Sequence, residues 1–301
     1  MRVAALFPAA TEIVVALGAA DQLVAVTHAC VLPRRTAGVA RVTRSHVPGG
    51  TPADVDRAVS DLAASGAPLY ELDEAALAAA APDVILTQAV CEVCAVREDD
   101  VRAVAARLDP RPSVVSLRAS TVDGVLDDIA VAGAAVGLPD EATELVAGLR
   151  SRIRRVHDRL KRAAASRRSV VVIEWTDPPF GAGHWVPDMV RRAGGVDLVG
   201  EAGMPSQRTT PGEVSGRDPE CLIVAPCGFG LDAAAAEAQA MLTRPEWSWA
   251  AARRAAWAID ANSLTSSPGP GVVRGIEVLA GILHPHVFGA PPARLATAVT
   301  V

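Results

Sequence analysis

Aromatic residues are scarce in this chain: five Trp, four Phe and one Tyr among 301 residues. With so few rings, the places where they gather carry information. Long apolar runs are also missing, since no stretch reaches the 18 or more residues of a membrane span. The apolar start, MRVAALFPAATEIVVALG, is interrupted by Thr11 and Glu12, and Arg2 is its only positive charge. No A-x-A-like cleavage site follows a polar region there, so the start reads as strand, turn and helix and not as an export signal. These absences lead to the expectation of a cytoplasmic protein, not membrane-spanning. Its five cysteines, Cys30, Cys91, Cys94, Cys221 and Cys227, would then be reduced thiols. A basic excess is lacking as well: Lys and Arg number 29 against 34 Asp and Glu, and the net charge of −5 argues against nucleic acid as a partner. There is no G-x-S-x-G, no H-x-x-x-H and no second C-x-x-C. A nucleophile elbow and a self-contained four-ligand zinc site are thereby excluded.

What is present is an alternation of short β-like runs with helical ones, the pattern of an α/β fold. Strands are expected at Val3–Phe7, Val24–Thr27, Val84–Thr87, Ser113–Leu117, Val170–Glu174, Leu222–Ala225 and Ala256–Asp260. Between Thr121 and about Ser166 the alternation stops. Two helices are expected there, separated by Gly137-Leu138-Pro139. The second carries Leu145, Leu149, Ile153, Val156 and Leu160 on one stripe, over about 24 residues and roughly 36 Å. Its many arginines fall on the opposite, solvated face. Residues 82–91, PDVILTQAVC, parallel residues 219–228, PECLIVAPCG. The division that follows is an N-terminal α/β lobe over 1–120, a helical segment over 121–168 and a C-terminal α/β lobe over 169–301.

In sheets of this kind, ligands gather at the carboxyl ends of the strands. The N-terminal lobe places Pro8, Thr11, Glu12, His28, Cys30, Gln88, Cys91 and Cys94 there. The C-terminal lobe places Trp175, Asp177, Phe180, His184, Trp185, Cys227 and Phe229 there. Four of the ten aromatics thus fall in a few loops, where rings are usually covered by another lobe or a flat ligand. Cys91 and Cys94 suit a redox pair, a share of a metal site, or small residues lining a cleft. A mixed zinc, copper or iron site drawn from Cys30, Cys91, Cys94, Cys227, His28 and His184 stays open. Glu174 and Asp177 offer a carboxylate pair for acid–base work, but no nucleophile pattern accompanies them, and Asp177 before Pro178 reads rather as shaping a turn. His284 and His286, around Pro285, read as surface residues.

Four segments together carry a resemblance: FPAATEIVVALG, PDVILTQAVCEVCAV, EWTDPPFGAGHWVPDMV and SPGPGVVRGIEVLAGILHP. The chain resembles the helical-backbone (class III) substrate-binding proteins of ABC importers, and within them the cobalamin-binding branch. The likeness extends over essentially the whole sequence. It implies two Rossmann-like lobes bridged by a long α-helix, with a ligand cleft between the lobes and no catalysis. It also implies a small-molecule ligand, namely cobalamin or a related corrinoid, with haem or a transition metal as alternatives. An ABC permease is the implied partner for exported members. With a corrinoid or haem, His184 or His28 becomes a candidate axial ligand, and Trp175, Phe180 and Trp185 become the covering wall. The competing expectation is a cytoplasmic metal-binding protein or enzyme using the thiol- and histidine-rich residues.

Overall fold

The computed structural model describes residues 1–33, 36, 38–90, 95–253 and 255–300, with 251–253 described by backbone alone. Cys91 and Cys94 lie outside the described residues. The chain divides into two compact units. The first comprises residues 1–119 and 123–148, the second residues 120–122 and 149–301.

The first unit is built on five parallel strands. They are β1 (Val3–Ala5), β2 (Leu23–Val26), β3 (Ala40–Arg41), β6 (Val84–Gln88) and β7 (Ser113–Leu117), in the order β3-β2-β1-β6-β7. A separate antiparallel pair, β4 (Thr43–Ser45) with β5 (Tyr70–Leu72), completes its β structure among the described residues. VILTQ in β6 is buried at every position, as expected for a parallel strand covered on both faces. Its helices are α1 (Pro8–Ala16), α2 (Pro52–Ser65), α3 (Glu74–Ala80), α4 (Glu98–Ala105) and α5 (Val122–Ala135), whose first residue belongs to the second unit. Pro8 fits the first turn of α1, where its missing N–H costs nothing. Gly18, at φ +80°, provides the left-handed turn that stops the run. In α2, Thr51 accepts from the Asp54 backbone N–H while the Asp54 carboxylate accepts from Thr51 N–H, a reciprocal cap. Thr51→Ala is expected to lower stability by about 1 kcal/mol, read as a shift in the urea midpoint.

The boundary at 148/149 falls inside α6 (Pro139–Arg162). This 24-residue helix buries Val146, Leu149, Ile153 and Val156 and leaves Arg150, Arg154, Arg155 and Arg162 exposed. Asp140 and Glu141 open it and Arg159, Lys161 and Arg162 close it, so both ends match the helix dipole.

The second unit has a mixed sheet. Parallel β10 (Gly195–Asp197), β8 (Arg168–Thr176), β12 (Cys221–Val224) and β13 (Ala256–Ile259) form its body. Antiparallel β14 (Ala296–Val299) closes one side, and β9 (Pro179–Gly181) with β11 (Gln207–Arg208) extends the other. β12 lies beside β8 as β6 lies beside β1, so the two Pro-acid-strand-cysteine segments occupy equivalent places. β8 runs further than the Val170–Glu174 run suggests. It continues through Thr176 and folds back over Asp177-Pro178 into β9. Trp175 and Phe180, expected in loops, are therefore strand residues. His284 departs from expectation too: it is buried, with Nε2 3.1 Å from the Gly194 carbonyl oxygen. Gly194 stands at φ +87°, and an added Cβ would lie 2.5 Å from that nitrogen, so the close approach needs glycine.

Candidate functional site

At the carboxyl ends of β1 and β2, the first unit has a small open concavity of about 40 Å³, lined by Phe7, Pro8, Thr27, His28, Tyr70 and Val96 among others. His28 is exposed, its ring stacked on Tyr70 with centroids 5.6 Å apart. The Thr43 hydroxyl meets His28 Nδ1 at 2.8 Å and accepts from the His28 backbone N–H at 3.0 Å. Nε2 is thereby the ring nitrogen left for an incoming group. Partial burial, with the Arg41 charge second, lowers the His28 pKa and keeps the imidazole neutral near pH 7. Arg41 fixes the turn beneath it, its guanidinium donating to the carbonyl oxygens of Thr27, His28 and Cys30 at 2.8–3.1 Å.

Two sequence-based candidates in this unit prove to be internal. Thr11 is buried and its hydroxyl donates to Cys30 Sγ at 3.0 Å, so its side chain faces the interior and not a ligand. Cys30 is buried and also lies 3.1 Å from the Thr27 hydroxyl, which makes it a packing thiol. Pro8 and Glu12 are half-buried. Gln88 is buried and accepts from the Val90 N–H at 2.7 Å, shaping the turn after β6.

In the second unit, Trp175, Phe180 and Phe229 are half-buried at the strand ends. Trp175 meets Phe229 edge-on at 5.9 Å, a favourable T-shaped pair, and Trp175 pairs with Phe180 across β8 and β9. Arg208 lies over the Phe180 ring, 5.5 Å from its centroid. Trp185, expected beside them, is instead 9% exposed and donates its indole N–H to the Thr265 carbonyl oxygen at 2.8 Å. It supports the unit from within. It lies just before α7 (Val186–Arg192). His184 has φ +52°, donates its backbone N–H to Met204 O at 2.6 Å, and accepts from Gly203 N–H at 2.9 Å. Burial lowers its pKa, leaving a neutral imidazole.

Beneath this surface sits Glu174. Its carboxylate accepts from Gly183 N–H at 3.3 Å and from the Ser206 hydroxyl, tying two loops together. Burial raises its pKa, with Asp197 nearby adding to the rise. Asp197 accepts from the Val199 and Gly200 N–H groups at 3.0 and 2.9 Å, while its Oδ2 is buried without a hydrogen-bond partner. Burial pushes it up to about 6. Asp177 plays no part in this pair; it is exposed and faces Arg244 at 3.9 Å. The alternative of an acid–base pair of Glu174 with Asp177 is therefore not formed, in keeping with the structural reading of Asp177. Cys227 is exposed as a residue, yet its thiol is in crowded surroundings. Burial first and Glu174 second push that thiol up to about 11, far from a thiolate.

Among the described residues no group of three or more His, Cys, Asp or Glu could hold a metal ion. His28 and Cys30 do not form one in the first unit, nor His184 and Cys227 in the second. Among the described residues, too, no helix is long and apolar enough to cross a membrane.

A family model described as periplasmic binding protein matches residues 3–256. The chain belongs to the periplasmic binding protein family. Solved structures with the same fold include a periplasmic heme binding protein from Pseudomonas aeruginosa, at 18% identity and TM-score 0.73, covering 100% of this chain and 99% of that one. The periplasmic vitamin B12 binding protein of Vibrio cholerae aligns at 18% identity and TM-score 0.66, over 94% of this chain and 96% of its own. An ABC transporter substrate-binding protein from Listeria monocytogenes gives 17% identity and TM-score 0.69, over 94% and 98%. No curated protein matches the sequence significantly. As a member of the periplasmic binding protein family, the chain has the fold and the ligand-binding role that the resemblance implied.

Several residues at these surfaces escaped sequence reasoning. Tyr70 had one available signal, being the single tyrosine of a ring-poor chain. Thr43, Arg41, Ser206 and Arg208 gave none, because each acts through a partner distant in sequence.

Proposed function

We propose that this protein is a substrate-binding component that takes a metal-bearing tetrapyrrole, a corrinoid or haem, and presents it to an ABC permease. The observation that carries this reading is the cluster of Trp175, Phe180 and Phe229 at the strand ends of the second unit. In a chain with ten aromatics, three half-buried rings side by side make a surface suited to a flat, conjugated ligand. The structurally similar proteins from P. aeruginosa and V. cholerae, which bind heme and vitamin B12, support the same class. In the first unit, a neutral His28, its ring oriented by Thr43 and Tyr70, offers an imidazole nitrogen of the kind that ligates metals.

The test is an absorption titration of the purified protein with hydroxocobalamin and with haemin. A saturable one-to-one spectral shift is expected with at least one of them; no shift with either overturns the reading. Trp175→Ala is expected to weaken that binding roughly tenfold, since a ring contact adds about 0.5–1.5 kcal/mol beyond the area it buries.

A further inference from the structure

We infer that Glu174 is a positioning residue for the aromatic surface of the second unit. As the extra residue of a β-bulge it sets Trp175 beside Phe180, and its carboxylate keeps the two rings in that register. The role in binding rests on the tetrapyrrole reading and deepens it, by naming what shapes the surface for a flat ligand.

The register of β8 against β9 shows the bulge. Ile173 is opposite Gly181 across these antiparallel strands, yet Trp175 is opposite Phe180 and Thr176 opposite Pro179. Two steps along β8 thus match one step along β9, and Glu174 is the extra residue. Continuing the Ile173–Gly181 register without the bulge would put Glu174 opposite Phe180 and Trp175 opposite Pro179. Directly opposed residues share a face of the sheet, with their side chains in reach of each other. The one-residue slip therefore exchanges a carboxylate for an indole as the neighbour of the Phe180 ring. Phe229, edge-on to Trp175 at 5.9 Å, adds the third ring.

The Glu174 side chain then anchors what the bulge aligns. β9 has three residues and β11 two, and they meet in two register pairs, Gln207 with Gly181 and Arg208 with Phe180. So short a ribbon has little stability of its own. Glu174 ties it down on both strands. Its carboxylate accepts from Gly183 N–H at 3.3 Å, just beyond β9, and from the Ser206 hydroxyl, just before β11. The turns so joined are also bound to each other, His184 N–H donating to the Met204 carbonyl oxygen and Gly203 N–H to that of His184. The strand bearing Phe180 is thereby held between β8 and β11 by the same residue that sets its register.

The experiment is a double-mutant cycle read by absorption titration with haemin and with hydroxocobalamin. Glu174→Gln leaves one acceptor oxygen for two donors, and Ser206→Ala removes one donor. Each is expected to weaken whichever probe wild type binds by about fivefold, and Ser206→Thr, which keeps the hydroxyl, to stay within about twofold. In a Phe180→Ala background the same two changes should cost less than about twofold, because the ring they misplace is gone. Unchanged affinity in both single variants, or an undiminished loss in the Phe180→Ala background, overturns the inference. Unfolding midpoints measured alongside keep every titration under conditions where each variant is folded. Binding of neither probe to wild type removes the tetrapyrrole reading, and the positioning role is then read from the rings alone. With 5-fluorotryptophan incorporated, the Trp175 fluorine resonance, assigned from Trp175→Phe, should move in Phe180→Ala and in the same direction in Ser206→Ala. A Trp175 resonance that Ser206→Ala leaves in place overturns the inference whether or not a ligand binds.

Discussion

Trp185→Ala is expected to cost the second unit about 3–5 kcal/mol of stability, the range for emptying a buried large aromatic site. Two effects add. The side chain is 9% exposed, so its removal leaves a void among well-packed neighbours such as fully buried Met189. Its indole N–H also satisfies the Thr265 carbonyl oxygen at 2.8 Å, and truncation leaves that oxygen without its donor. Urea unfolding followed by far-UV circular dichroism should show a large drop in midpoint. Trp185→Phe keeps most of the volume and loses the donor, and should fall between the two. The half-buried Trp175 supplies the contrast, since Trp175→Ala should affect ligand affinity more than stability. An unfolding midpoint for Trp185→Ala equal to wild type would refute the supporting role assigned to this side chain.

The second large effect concerns pH. Burial pushes Asp197 up to about 6, from an ordinary value of 3.8. Between those values the folded protein holds a proton that the unfolded chain has released. A carboxyl raised in this way stabilises the fold fully only below about pH 4, and the contribution is lost as pH rises through 6. The difference of about two pH units corresponds to about 3 kcal/mol as an order of magnitude. Glu174, raised by burial and by Asp197, moves stability in the same direction. Asp197→Asn should therefore be more stable than wild type at pH 8, and the gap should close on acidification to pH 4. Its amide oxygen can still accept from the Val199 and Gly200 N–H groups, leaving the amino group for the side now lacking a partner. Paired unfolding curves at pH 4, 6 and 8 read Asp197 together with the part of the Glu174 rise that its charge causes, the remaining titrating groups being common to both proteins. A wild-type-minus-variant difference that does not change with pH would show that Asp197 keeps its charge without cost.

Much of the architecture was legible because it depends on local rules. The apolar stripe of α6 follows from its spacing, and the buried VILTQ and CLIV runs from their unbroken hydrophobicity. β9 and β11 were not legible: they are two or three residues long and exist through pairing with β8, a tertiary effect without a periodic signal. The candidate site shows the same division. Trp175, Phe180 and Gln88, expected just after strands, belong to strands, and position says nothing about side-chain direction. Trp175 and Trp185 looked alike in sequence, yet one lies on the half-buried aromatic surface and the other is a pillar of the core. Thr11 and Cys30 likewise turned inward to meet each other across nineteen residues. The redox and metal readings of Cys91 and Cys94 fall outside the described residues.

The Arg41 guanidinium, spread over three carbonyl oxygens of the turn at Thr27–Cys30, has a kinetic corollary. Loops that must rearrange before contact slow association, and their ordering subtracts from affinity. Here one side chain from the edge strand β3 has already frozen the turn bearing His28. Encounter with that imidazole should proceed as a simple bimolecular step, its observed rate rising linearly with ligand concentration and showing no plateau. Loosening the turn by Arg41→Ala would introduce the plateau.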